Sequence, residues 1–246
     1  PLISHDKIIV TPHLGASTVE AQEKVAVSVS EEIIDILTNG TVEHAVNAPK
    51  MDLSNVDETV KSFVDLGTTI GEFAIQLLEG APSEIKITFA GDLATNDTSL
   101  ITRTIVTNIL KEDLGEEVNI INALALLNQQ GVTYNIEKQK KHSDFSSYVE
   151  LKLTNDKDQI KIGATVLAGF GPRIVRINDF SLDFKPNEYQ IVTCHKDKPG
   201  IVGQTGNLLG SHGINIASMT LGRNNEWNFD TKYNIPYAET GNKGQG

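Results

Sequence analysis

The chain has 246 residues, enough for two or three small domains, and its 39% hydrophobic and 22% charged content is that of an ordinary globular protein. A formal net charge of −11 argues against nucleic acid or an anionic membrane surface as a partner, because both are held by clustered Lys and Arg. No apolar run approaches the roughly eighteen residues of a membrane-spanning helix, and no secretory signal opens the chain. Cys194, the single cysteine, forms no internal disulfide and fits a reducing, cytoplasmic setting. Within a predicted strand and without an activating neighbour, it is not a candidate nucleophile. Metal-ligand spacing is absent, so no metal site is expected.

In chain order, Lys7-Ile8-Ile9-Val10 reads as a buried parallel strand that Pro12 ends by removing a ladder donor. That places His13 at a strand's carboxyl end, where open α/β sheets bind ligands. Gly15 and Ala16 leave room for a cofactor to approach the backbone. Ser17 is the expected helix cap, with Glu20 completing a capping box. Val25, Val29, Ile33, Ile36 and Leu37 then repeat at helical spacing as far as Asn39, and Gly40 supplies a left-handed stop. Thr41 to Pro49 is an extended crossing segment. A second helix is expected near Asn55–Glu79 on Val60, Val64, Ile70, Phe73, Ala74, Leu77 and Leu78, with Gly80-Ala81-Pro82 as its stop.

The middle of the chain reads as an α+β unit. Ile85, Ile87 and Phe89 alternate as in a half-buried strand, Leu100–Leu114 is a helix closed by Gly115, and Asn122 caps a short helix ending at Gly131. Further strands are expected on Val132, Tyr134 and Ile136, on Val149, Leu151 and Leu153, on Ile160-Lys161-Ile162 after the turn Asn155–Asp158, and on Ile174–Ile177. The basic knot Lys138-Gln139-Lys140-Lys141-His142 is a solvated loop or, more sharply, part of a small-anion site. Near the end, Gln190–His195 is a predicted strand, Asp197-Lys198-Pro199-Gly200 a tight turn, Ile201–His212 a helix closed by Gly213, and Ile214–Met219 a strand. Together they read as a βαβ unit, half of a ferredoxin-like fold. Gly200, Gly203 and Gly206 do not have the G-x-G-x-x-G spacing of a dinucleotide loop.

The run Thr11-Pro12-His13-Leu14-Gly15-Ala16-Ser17-Thr18 resembles the catalytic-histidine segment of NAD-dependent D-2-hydroxyacid dehydrogenases, most closely the phosphoglycerate dehydrogenases. The resemblance implies that His13 is a general acid/base exchanging a proton with the substrate's C2 oxygen, with Gly15 and Ala16 beside the NAD cofactor. Imidazole suits that task because it titrates near neutrality. Gly91-Asp92-Leu93 and Gly169-Phe170-Gly171-Pro172-Arg173-Ile174-Val175 are similar to the allosteric substrate-binding domain of the long forms. By that likeness Lys138, Arg173 and Arg176 form a possible anion site, although Ser146 stands where a second basic residue is expected. HKDKPG at 195–200 followed by GINIA at 213–217 resembles the ACT domain, a small-molecule sensor that pairs edge to edge, and this implies L-serine contacts at His195, Asp197, Gly200 and Asn215.

The expected architecture is therefore α/β plus α+β. Residues 1–50 would be the tail end of a Rossmann-like nucleotide-binding domain, 51–186 an allosteric substrate-binding domain with its leading helix, 187–223 a partial ferredoxin-like ACT domain and 224–246 an irregular tail. Pro1 suggests that the chain opens within a domain. The expected parent is a homo-oligomeric oxidoreductase acting on 3-phosphoglycerate with NAD. Because the G-x-G-x-x-G fingerprint, the ribose-binding acid, the carboxylate partner of the histidine and the substrate arginine are not found here, the chain alone is expected to lack turnover. The alternative is a non-catalytic regulatory fragment sensing L-serine or another small polar metabolite.

Overall fold

A computed structural model describes residues 5–39, 46, 58–195, 198–222 and 238–239. The chain divides into two compact units, Pro1–Val56 and Asp57–Gly246.

In the first unit the principal element is α1 (Val19–Asn39), matching the helical periodicity. The strand expected over residues 7–10 does not form. Parallel pairing exists only through ladder neighbours, no described segment pairs with these residues, and Ile9 is 93% exposed. The cap also differs from expectation. Ala16 adopts φ 55° and turns the chain back, so the Ser17 hydroxyl donates to the Leu14 carbonyl at 2.8 Å. Thr18 is the cap instead, its Oγ1 accepting the Ala21 N–H at 3.2 Å. Most of the expected crossing segment at 41–49 lies outside the described residues.

The second unit is a six-stranded mixed sheet covered on one face by helices. It runs α2 (Glu58–Leu77), β1 (Glu84–Gly91), α3 (Ser99–Leu114), α4 (Ala123–Gln129), β2 (Thr133–Gln139), β3 (Ser147–Thr154), β4 (Gln159–Leu167), β5 (Gly171–Ile177) and β6 (Phe180–Phe184). The strand order is β2-β1-β3-β4-β5-β6, with β1 and β2 parallel and every other neighbour antiparallel. The α3–α4 crossover supplies the length that a parallel pair needs. These elements match the expectation closely. β6 is the addition, a hairpin partner of β5 reached through Asn178 at φ 50°. Asn178 tolerates that left-handed turn, and its side chain accepts the Lys161 N–H at 2.8 Å.

The expected βαβ unit at the end is present only as its helix, α5 (Ile201–Ser211). The strand expected over 190–195 is limited to β7 (Tyr189–Gln190), which pairs antiparallel with β8 (Ala238–Glu239). Residues 214–219 form no strand. Two strands flanking a helix become a sheet only when they pair with each other or a third, and the partner taken here is β8. The tail that the sequence suggested over 224–246 is described only at those two residues.

The core lies between the sheet and the α2–α3 pair. Phe63, Leu66, Ile70 and Phe73 of α2, Ile101 and Ile105 of α3, Ile85, Ile87 and Phe89 of β1, and Leu151 of β3 are 0–1% exposed, each worth about 1.5–3 kcal/mol on burial. Two helices approach this closely because α2 offers Gly67 and Gly71 to α3. A Cβ at Gly67 would stand 3.3 Å from Ile105 Cγ1, and one at Gly71 only 2.8 Å from the Ile105 carbonyl oxygen. That oxygen cannot yield without moving the helix. Gly71→Ala is therefore expected to lower the unfolding free energy by about 1–3 kcal/mol despite alanine's better helix propensity. Urea denaturation followed by circular dichroism measures this, and an unchanged or stabilised variant would refute the close approach.

Candidate functional site

His13 sits on the turn before α1, exposed. Its imidazole folds over Gly15, where an added Cβ would meet only the ring, Nε2 at 3.6 Å. The turn is held from within by the Ser17–Leu14 hydrogen bond and by the Thr18 cap. Gly15, Ala16 and His13 are thus brought together, and the α1 N-terminus follows them directly.

The serine-contact residues implied by the resemblance flank α5 along the chain. Gly200 is its N-cap at φ 93°, a conformation that glycine adopts at little cost, while His195 and Asn215 are exposed. Asp197 lies outside the described residues. Cys194 is a half-buried free thiol. Among the described residues no His, Cys, Asp and Glu group could hold a metal ion.

The three anion-site candidates are not brought together. Lys138 lies on the edge strand β2 opposite Phe89, toward the helix-covered side, and its ammonium donates to the Asn96 carbonyl at 2.7 Å. Arg173 and Arg176 are on β5, four strand spacings or about 19 Å away. Arg173 is paired through Nε with Asp183 Oδ1 at 2.6 Å. One small anion cannot be held by all three. Gly91-Asp92-Leu93 and the run from Gly169 to Val175 serve local structure here. Gly91 adopts φ 71°, and a Cβ there would overlap the Ser146 carbonyl, which accepts the Asp92 N–H at 2.7 Å. Leu93 is fully buried, while Gly169 and Gly171, at φ 76° and 75°, flank the exposed Phe170 at the β4–β5 turn.

What sequence reading missed is a polar and aromatic cluster on the sheet face away from the helices. Tyr148 is 4% exposed there and packs with Ala90, Val175 and Phe145. The His142 ring stacks 4.2 Å from it, and the Phe145 ring lies parallel at 5.9 Å. Its hydroxyl donates to Glu150 Oε2 at 3.1 Å and occupies the space that a side chain at Gly163 would need. Burial, then the Glu150 charge and hydrogen bond, raise the Tyr148 pKa well above the usual phenol range, opposed by the nearby Arg176 guanidinium. The signal was available in the alternation. Val149, Leu151 and Leu153 take the helix face, which leaves Tyr148, Glu150 and Lys152 for the other.

Residues 59–178 match the family described as the D-3-phosphoglycerate dehydrogenase intervening domain. The chain is 33% identical over 222 residues to D-3-phosphoglycerate dehydrogenase of Bacillus subtilis, covering 90% of this chain and 42% of the relative. It is 37% identical over 218 residues to the Synechocystis protein of the same name, covering 88% and 39%. For the Archaeoglobus fulgidus protein the identity is 31% over 226 residues, covering 92% and 42%. The chain therefore spans 39–42% of the length of these relatives.

Tyr148 gives the site a spectroscopic test. Because its folded pKa is raised, its stabilising contribution is complete below the unfolded phenol value of about 10 and is lost as the pH rises beyond it. In ultraviolet difference titration Tyr148 is expected to ionise above the ordinary phenol range. Glu150→Gln removes a charge that opposes the phenolate and is expected to lower that ionisation pH, and no movement would show that Glu150 does not act on the hydroxyl.

Proposed function

Because the chain resembles the C-terminal part of D-3-phosphoglycerate dehydrogenases and carries their intervening domain at residues 59–178, we propose that it is a portion of such an enzyme. The parent oxidises 3-phosphoglycerate to 3-phosphohydroxypyruvate with NAD, at the entry to L-serine synthesis, as a cytoplasmic homo-oligomer. The intervening-domain match is the observation that carries this reading.

In it, His13 is the general acid/base. As the C2–H bond electrons depart as hydride, which the NAD bound by the parent would accept, the C2 hydroxyl proton passes to the imidazole, and the O–H electron pair becomes the second bond of the carbonyl. An exposed imidazole on a turn fixed by its own hydrogen bonds can present a ring nitrogen to a substrate oxygen. Gly15 and Ala16 add backbone of low bulk beside it.

The dinucleotide itself does not fit the residues of this chain. The sequence contains no G-x-G-x-x-G loop, and Gly15 and Ala16 supply a turn rather than a pyrophosphate cradle. The chain by itself is expected to show no turnover. His195, Asp197, Gly200 and Asn215 are the proposed contacts of an L-serine effector, whose carboxylate, ammonium and hydroxyl can be read by backbone donors, an acceptor and an amide. If so, the chain serves as the sensing portion of its parent.

A chimera in which this chain replaces the matching residues of the Bacillus subtilis relative tests the catalytic reading. It is expected to oxidise 3-phosphoglycerate, and His13→Gln is expected to lower kcat by about 10²–10⁴-fold with a much smaller change in KM. A His13→Gln chimera of undiminished kcat would remove the histidine from the mechanism. Calorimetric titration of the chain with L-serine tests the effector reading. Binding abolished by His195→Ala or Asn215→Ala is expected, and heat that survives both variants would place serine elsewhere.

A further inference from the structure

The sheet of the second unit ends on two edges that the chain treats differently. At β6 the chain's own residue 222 passes so close that a Cβ there would stand 2.4 Å from Leu182 Cδ2 and 3.2 Å from the Ser181 carbonyl oxygen. At β2 the sheet continues only inward, to β1, and no described strand pairs with its outer side. All its residues but Glu137 are exposed.

Open edges are usually guarded by charged side chains, Lys above all. On β2 both charges are directed elsewhere. Glu137 is paired with Lys86 of β1 at 2.7 Å, and the Lys138 ammonium is bound to the Asn96 carbonyl at 2.7 Å. Tyr134 and Ile136, each 38% exposed, are left on the rim.

We propose that β2 is a homodimerisation edge, at which two copies of this chain pair β2 against β2, antiparallel, about a two-fold axis at Ile136. The register follows from geometry. Residues directly opposite in an antiparallel pair share a face, so the axis stands normal to the sheet and passes through a residue position rather than between two. An axis at Glu137 or Lys138 would set like charges against each other. Ile136 is the midpoint of Thr133–Gln139, and centring there uses the whole strand. Ile136 then meets its own copy, Tyr134 lies opposite Lys138, Asn135 opposite Glu137 and Thr133 opposite Gln139. No charged residue faces its like. One strand edge buries less than the ~1,200 Å² of a standard interface, so the dimer is weak, with a dissociation constant of micromolar order.

Sedimentation equilibrium of the whole chain over a range of concentrations tests this. The wild-type chain is expected to show a monomer–dimer equilibrium. Ile136→Lys and Ile136→Glu are each expected to weaken it by at least about tenfold, and a mixture of the two to restore heterodimers, since the opposed residues then attract. A wild-type chain that stays monomeric overturns the proposal. So does an Ile136→Lys chain that associates like wild type, which assigns association to another surface. A mixture that fails to pair overturns it as well, since that marks a folding defect rather than a lost contact.

Discussion

The structure of the second unit depends on β1, which has a parallel neighbour on one side and an antiparallel neighbour on the other and is fully buried at Ile85, Ile87 and Phe89. Its carboxyl end is closed by a backbone contact that only glycine permits. Gly91 at φ 71° brings the chain against the Ser146 carbonyl, and the next amide, Asp92, hydrogen-bonds to that oxygen. This contact fixes where β3 begins. It therefore decides which residues of β3 face the helices and which face away, because a slip of one residue would exchange the two sets. The placement of Tyr148 and Glu150 on the open face follows from Gly91 as much as from their own chemistry.

That open face is ordered by rows. Lys86, Lys152 and Lys161 stand opposite one another across β1, β3 and β4, an arrangement that costs free energy when like charges face each other. The neighbouring row offsets it with Glu137 and Glu150, and Lys86 is the lysine that is visibly paired. The hydrogen bond and charge of Glu137 raise the Lys86 pKa further. Exposed pairs of this kind contribute little to stability. Their effect is on pattern, since alternating rows of opposite sign present no broad field of one charge in a chain that is acidic overall.

Much of this was legible in the residues. Alternation in Ile85, Ile87 and Phe89, helical spacing in α2 and α3, and terminators such as Gly115 predict elements whose bounds differ from the structure by a few residues, because local preference and burial agree there. The failures share a cause. Lys7–Val10 and Ile214–Met219 have apolar, β-branched compositions suited to strands, but a strand is defined by its neighbours, and no described segment pairs with either. β6 was missed for a different reason. Phe180, Leu182 and Phe184 alternate with Ser181 and Asp183, a signal that was legible but short and passed over, and the strand is seated because Asn178 turns the chain back onto β5. The anion-site candidates failed on distance, since sequence spacing says nothing of how many strands separate two positions.

The same distinction bears on the histidine turn. Hydrogen bonds within residues 14–21 settle its local shape, and they would do so in any surroundings. Position is another matter, since proton transfer requires the imidazole to be held to within a fraction of an ångström of its target. A turn gains that precision from the elements it joins. Here the preceding segment has no ladder, and α1 presents Val25, Val29, Ile33 and Leu37 at 48–79% exposure. An apolar stripe of that kind is stabilising only when covered. The side chain proposed for chemistry thus lies beside an exposed apolar stripe, while the second unit has a closed core of its own. A closed core and the side chain proposed for chemistry fall in different units, and the proposed chemistry depends on cover for α1 to become exact.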